Sequence, residues 1–141
     1  MSNLRHVGIV CNNLEKMTKF YKLLGFTEVI NIEVYGKFID ELIALNNVNI
    51  DIVKFKSKNN DCLIELLKYK KLKNSKQKNE VYEQGISHIS ITVEDIDRTF
   101  EILKLNGAEF LTSPLLSEDG KVKVCFCKDI EGNWIEVCQD L

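Results

Sequence analysis

Arginine is scarce in this chain: Arg5 and Arg98 are the only two, within a total of 19 lysines and arginines. Few guanidinium forks are therefore available to clamp a carboxylate or a phosphate. Surplus positive charge is missing as well. The formal net charge is −2, which argues against a protein built mainly to neutralise nucleic-acid phosphates. No apolar run approaches the roughly 20 residues of a membrane span, and the first residues have no apolar signal-peptide core. The expectation is a cytoplasmic protein with neither a nucleic acid nor a membrane as partner. Cysteine is present (Cys11, Cys62, Cys125, Cys127 and Cys138) but odd in number and without a CxxC spacing, so a zinc ribbon is not indicated. These read as reduced thiols packed as small apolar groups, although Cys125 and Cys127 share one strand face and could reach a pocket. Histidine occurs only as His6 and His88.

What is present is ordinary for a globular domain: 141 residues, 45% hydrophobic and 28% charged, enough for one domain or two small halves sharing a core. The informative feature is a repeat. "LRHVGIVCNNLEKMTKFYKLLGFTEV" begins at Leu4, and "ISHISITVEDIDRTFEILKLNGAEFL" begins at Ile86. A gapless shift places His6 on His88, Ile9 on Ile91, Leu14 on Ile96, Lys22 on Lys104 and Gly25 on Gly107. Agreement of residue class over so long a stretch identifies an internal repeat.

Each copy has one physical plan. A β-branched run, "HVGIV" or "HISITV", reads as a strand. Asn12 and Asn13 in one copy and Asp95 in the other suit a helix N-cap. Leu14, Met17, Phe20, Tyr21 and Leu24, and likewise Ile96, Phe100 and Leu103, recur at spacings of three and four, as on an amphipathic helix. Gly25 and Gly107 then stand where a helix ends in the left-handed conformation. Strand-like runs follow: "FTEVINIEV", "NIDIVKFK" and "DCLIELLKY" in the first half, "AEFLTSP", "KVKVCFCK" and "NWIEVCQ" in the second. "YGKFIDELIAL" fits a short helix or a loop equally well. The class is α+β: two βαβββ repeats, expected to curve a mixed sheet into a half-open cup with helices outside. The modules cover about residues 4–69 and 85–141, with a linker over about 70–84 whose lysine-rich part, Lys68 to Lys78, reads as solvated.

Four polar residues lie inside the strand runs. His6 and His88 open the first strand of each copy. Glu65 in "CLIELL" and Glu136 in "WIEVC" lie in the last. A carboxylate on a buried strand is costly unless something compensates it, and two at matching places near a pseudo-twofold axis would repel. One divalent ion removes the difficulty. Two neutral imidazoles and two carboxylates cancel its charge, and Ni²⁺, Zn²⁺, Co²⁺ and Mn²⁺ all accept such ligands.

The sequence resembles the vicinal oxygen chelate superfamily, which includes glyoxalase I, methylmalonyl-CoA epimerase, extradiol dioxygenases and bleomycin-resistance proteins. The resemblance rests on "HVGIVCNNLEKMTKFYKLLGF", on "ISHISITVEDID" and on the closing "KDIEGNWIEV", where Ile130 replaces the family's usual proline. It implies paired βαβββ modules around one metal ion per site, with His6, Glu65, His88 and Glu136 as ligands, and a small-molecule substrate chelated through two adjacent oxygens. The implied activity is that of a metal-dependent lyase or isomerase of the glyoxalase I type. A proton alpha to a carbonyl moves through an enediolate, with Glu136, or Glu65, as the catalytic base. Asp40 and Glu41 are weaker candidates for a second base. An acyl-CoA epimerase of the methylmalonyl-CoA type, a small-molecule binding or resistance protein and an Fe(II) extradiol dioxygenase are the alternatives, in that order. The first half has no arginine at its middle to hold a glutathione carboxylate, and it carries an extra stretch, Tyr35–Leu45. Modules of this kind pair between chains, so a homodimer is expected.

Overall fold

The computed structural model describes residues 2, 4–72 and 80–141. The chain divides into two compact units, Met1–Ser75 and Lys76–Leu141. The first contains β1 (His6–Val10), α1 (Leu14–Leu23), β2 (Thr27–Tyr35), α2 (Lys37–Ile43), β3 (Asn49–Ser57) and β4 (Asn60–Tyr69). The second contains β5 (His88–Thr92), α3 (Ile96–Leu105), β6 (Glu109–Phe110), β7 (Leu115–Leu116), β8 (Val122–Lys128) and β9 (Trp134–Asp140). The first sheet has four strands in the order β1-β4-β3-β2; the second has five, β5-β9-β8-β6 with β7 also on β8. In each unit the first and last strands run parallel and the others antiparallel. The class is therefore α+β, with three helices and two mixed sheets among the described residues.

Parallel pairing of first and last strands needs the chain to cross over, and the helix that follows the first strand makes that crossing possible. Asn13 accepts from the backbone N–H of Lys16 at 3.0 Å and Asp95 from that of Arg98 at 2.9 Å, so both helices begin at satisfied N-caps. Gly25 and Gly107, at φ of 88° and 94°, release the chain from the helix in a conformation that costs a side-chain-bearing residue about 1 kcal/mol or more. In the first unit Met17, Phe20 and Tyr21 of α1 are buried, as are Val53, Phe55, Ile64 and Leu66 of the sheet; the Tyr21 and Phe55 rings lie 6.4 Å apart. In the second, Ile96 and Leu103 of α3 are buried with Ile135 and Val137, and Phe100 stacks obliquely on Phe110 at 4.5 Å. Each such side chain contributes about 1.5–3 kcal/mol by leaving water.

Three segments go beyond what periodicity decides. "YGKFIDELIAL" contains α2, whose Ile39 and Ile43 pack against Val48, Ile50 and Ile52, a cluster that Leu67 and Tyr69 also cover. "AEFLTSP" forms only the two-residue β6, and two-residue β7 follows Pro114; proline has no N–H to give to a ladder. Lys70, where the linker was expected to begin, is tied to the first sheet by ion pairs to Glu33 at 2.7 Å and Asp51 at 2.9 Å. Residues 73–79 of that stretch lie outside the described residues.

Candidate metal centre

Side chains alternate along a strand, so residues 54 and 65 face away from α1 while 55, 64 and 66 face it. Glu65 stands opposite Gly8 on β1 and opposite Lys54 on β3. His6, two residues before Gly8, projects on the same side, and its Nε2 lies 3.4 Å from Glu65 Oε2. The other carboxylate oxygen, Oε1, pairs with Lys54 Nζ at 2.8 Å. Glu65 is only 7% exposed, so these partners replace the water it gave up on folding. Gly8 keeps the position between the strands open: a Cβ there would meet Leu67 Cδ1 at 3.3 Å.

The second unit repeats this register with different neighbours. Glu136 stands opposite Ser90 on β5 and opposite Phe126 on β8. Ser90 Oγ donates to Glu136 Oε2 at 2.5 Å. The His88 ring meets Phe126 edge-on with centroids 5.0 Å apart, which places it on the face of Glu136, and its Nδ1 lies 2.7 Å from Ser87 Oγ. Among the described residues no ion pair reaches Glu136, whereas Glu65 has two. Lys128, further along β8, lies over the Trp134 ring at 4.5 Å.

The turn between β8 and β9 sets where Glu136 falls. Asp129, 3% exposed, accepts from the backbone N–H groups of Glu131 and Asn133, both at 2.9 Å, and from Asn133 Nδ2 at 2.8 Å. Gly132 turns at φ 87°. "KDIEGN" is thus a carboxylate-pinned turn that delivers Trp134 to the start of β9.

Four other sequence candidates, Cys125, Cys127, Asp40 and Glu41, have different places. Cys125 and Cys127 alternate with Phe126 and so lie on the opposite face from Glu136, paired in register with Val137 and Ile135; they do not line the candidate site. Burial pushes their thiols up to about 11 and about 12, so both are protonated and unreactive near neutrality. Burial likewise raises Cys138, against a contact from Ser90 that lowers it. Asp40 is not placed as a base. Its two oxygens accept from the backbone N–H groups of Val48 at 2.8 Å and Asn47 at 2.9 Å, clamping the loop after α2. Glu41 pairs with Lys37 on the exposed side of that helix, at 3.5 Å.

Two donors each about 2.1 Å from a single ion, at a tetrahedral angle, stand about 3.4 Å apart. His6 Nε2 and Glu65 Oε2 have that separation, so the first unit offers an N,O pair that fits a divalent ion. Within neither unit do three His, Cys, Asp or Glu side chains converge among the described residues. Lys54 and Ser90 are the site neighbours that sequence reasoning missed. Ser90 was within reach, since the repeat sets it on Gly8. Lys54 was not, because its pairing with Glu65 depends on an irregular step in the β3–β4 register between Lys56 and Ser57.

Residues 3–137 match the model of the Glyoxalase/Bleomycin resistance protein/Dioxygenase superfamily, and the chain belongs to that superfamily. Its members include enzymes such as glyoxalase I and also proteins without catalytic activity. A glyoxalase family protein from Bacillus cereus shares the fold, with a TM-score of 0.93 at 21% identity, over 100% of this chain and 95% of that one. A glyoxalase family protein from Enterococcus faecalis gives 0.64 at 20% identity, covering 96% of each chain. The trypanothione-dependent glyoxalase I of Leishmania major gives 0.68 at 18% identity, over 99% of this chain and 87% of that one. At these identities the likeness speaks for the fold alone.

Proposed function

We propose that the chain is a divalent-metal-dependent lyase or isomerase of the glyoxalase I type, moving a proton at a carbon next to a carbonyl. The observation that carries this reading is the His6–Glu65 pair at 3.4 Å, together with His88 and Glu136 at matching places on the first and last strands of the second unit. His6, Glu65, His88 and Glu136 are the residues that would hold the ion. Bound there, it would supply Lewis acidity toward two adjacent substrate oxygens.

The two glutamates are not equivalent as bases. Glu65 is held between Lys54 and His6, which fixes its carboxylate in place. Glu136 accepts hydrogen bonds from Ser90 and from the Cys138 thiol, and has no ion pair among the described residues. In this reading the unclamped Glu136 takes the carbon-bound proton and returns it to the same carbon in an epimerisation or to the neighbouring carbon in a glyoxalase reaction. An acyl-CoA epimerase would use the same groups in the same roles. A homodimer belongs to this proposal.

One observation favours a second reading, a metal-free small-molecule binding protein: the Lys54 ammonium already neutralises the buried Glu65 carboxylate. Metal stoichiometry separates the two. Stripped protein titrated with Ni²⁺, Zn²⁺, Co²⁺ or Mn²⁺ is expected to take up about one ion per chain. Loaded protein is then assayed on 2-oxoaldehyde–thiol adducts and acyl-CoA epimers. Glu136→Gln should keep the fold and lose turnover; full activity in that variant would remove Glu136 as the base. Absence of any bound ion would turn the assignment to ligand sequestration.

A further inference from the structure

We infer that Ser87 and Ser90 are positioning residues for the candidate donors of the second unit. Ser87 keeps the proton of the neutral His88 ring on Nδ1, which leaves Nε2 with its lone pair free. Ser90 pins one oxygen of Glu136, which leaves the other to be presented. The inference rests on the metal-dependent reading above, and it holds whether the second pair serves an ion of its own or shares one.

Both serines flank the histidine where β5 begins, in the run "SHIS". Ser87 Oγ lies 2.7 Å from His88 Nδ1, and Phe126 meets the same ring edge-on. Among the described residues His88 Nε2 has no partner. A hydroxyl can donate to Nδ1 or accept from it, and the choice sets which ring nitrogen keeps a lone pair. Only acceptance by Ser87 leaves Nε2 able to hold an ion. Nε2 is also the nitrogen that His6, at the matching place in the first copy, turns toward Glu65. A histidine that ligates a metal ordinarily has its other ring N–H held in this way.

Ser90 Oγ meets Glu136 Oε2 at 2.5 Å, the length of an O–H bond to a charged carboxylate. Its one proton is spent there, so it has none to give the Cys138 sulfur 3.7 Å away. The first copy has neither hydroxyl. The repeat sets Ser87 on Arg5 and Ser90 on Gly8, and there Lys54 holds Glu65 instead. Two neutral hydroxyls in the second unit thus do what an ammonium does in the first, and they orient their partners without placing a positive charge beside a cation.

The test reads the imidazole nitrogens and the metal affinity of the full-length protein, without an assay of activity. His6 and His88 are the only histidines, so the ring ¹⁵N spectrum of metal-free protein is assigned by a His6→Ala variant. It is recorded under alkaline conditions in which imidazole is neutral. His88 is expected to carry its proton on Nδ1; Ser87→Ala should lose that preference and Ser87→Thr should keep it. Zn²⁺ or Ni²⁺ is then titrated against a chromophoric chelator. Ser87→Ala and Ser90→Ala are each expected to bind the ion about tenfold more weakly, the scale for removing a group that orients a ligand. Threonine at either position should restore wild-type affinity, which a general loss of folding would not allow. A wild-type His88 protonated on Nε2, or alanine variants that hold the ion as tightly as the wild type, would overturn the inference and leave the metal reading standing. A wild type that binds neither ion would overturn both.

Discussion

Glu65 and Glu136 occupy the same place in two copies of one unit, yet the residues around them differ one for one. Gly8 becomes Ser90 and Lys54 becomes Phe126 across the corresponding strand registers. A repeat that has diverged at these neighbours while keeping both carboxylates has separated a clamped glutamate from a freer one. The histidines were legible in the sequence because there are only two and the repeat superposes them; the glutamates were legible because their strand neighbours are apolar. The cation was not, since an ion pair across a hairpin depends on a register that the turn sets. Removing it has a stability consequence. Lys54→Met leaves a nearly buried carboxylate short of a partner and should cost the metal-free protein about 2 kcal/mol, below the 3–5 expected of a fully buried pair because the lysine keeps some contact with water. The double variant Lys54→Met/Glu65→Leu should recover most of that loss in urea titrations. If the single variant costs nothing, solvent and not Lys54 is satisfying Glu65.

At the scale of elements, the strands and their helices followed from periodicity and caps, while the irregular connections depended on single polar residues. Asp129 is the clearest case. "KDIEGN" reads as a turn from its glycine and asparagine, but only the structure shows a buried carboxylate accepting three hydrogen bonds to hold it. Asp129→Ala should lower stability by about 2–4 kcal/mol, the loss of charged hydrogen bonds with their donors left unpaired. Through β9 it should also displace Glu136, so metal retention should fall along with the melting temperature. Asp40, read as a candidate base, is the same device at the end of α2, and a carboxylate used this way cannot be told from a catalytic one by composition. On β8 the thiols make a separate point. Cys125 and Cys127 ionise far more readily unfolded than folded, because burial raises their folded values to about 11 and about 12 from an ordinary 9.0. Their contribution to stability is therefore complete below pH 9 and is lost as pH rises toward 11–12. Replacing both with alanine should flatten the alkaline limb of a stability–pH curve measured by denaturant titration; an unchanged limb would show that other groups cause it.

For the molecule as a whole, the repeat was the most legible feature, because a shift of the sequence onto itself needs no knowledge of how the copies pack. It does not by itself decide whether each copy serves its own ion or both serve one, and the two arrangements predict different arithmetic. A His6–Glu65 pair in one unit and a His88–Glu136 pair in the other could in principle bind separately, but two protein donors hold a divalent ion weakly when most of its shell remains water, and four are the usual complement of a closed site. One shared ion requires that His6→Ala and His88→Ala each abolish tight binding, so stoichiometry should drop from about one per chain to near zero in either variant. Separate ions would give about two per chain in the wild type and about one in each variant. Metal analysis of the three proteins after equilibrium dialysis distinguishes these outcomes without an assay of activity. The shared-ion result would also explain why the unit is written twice, since neither copy alone carries enough ligands to hold an ion.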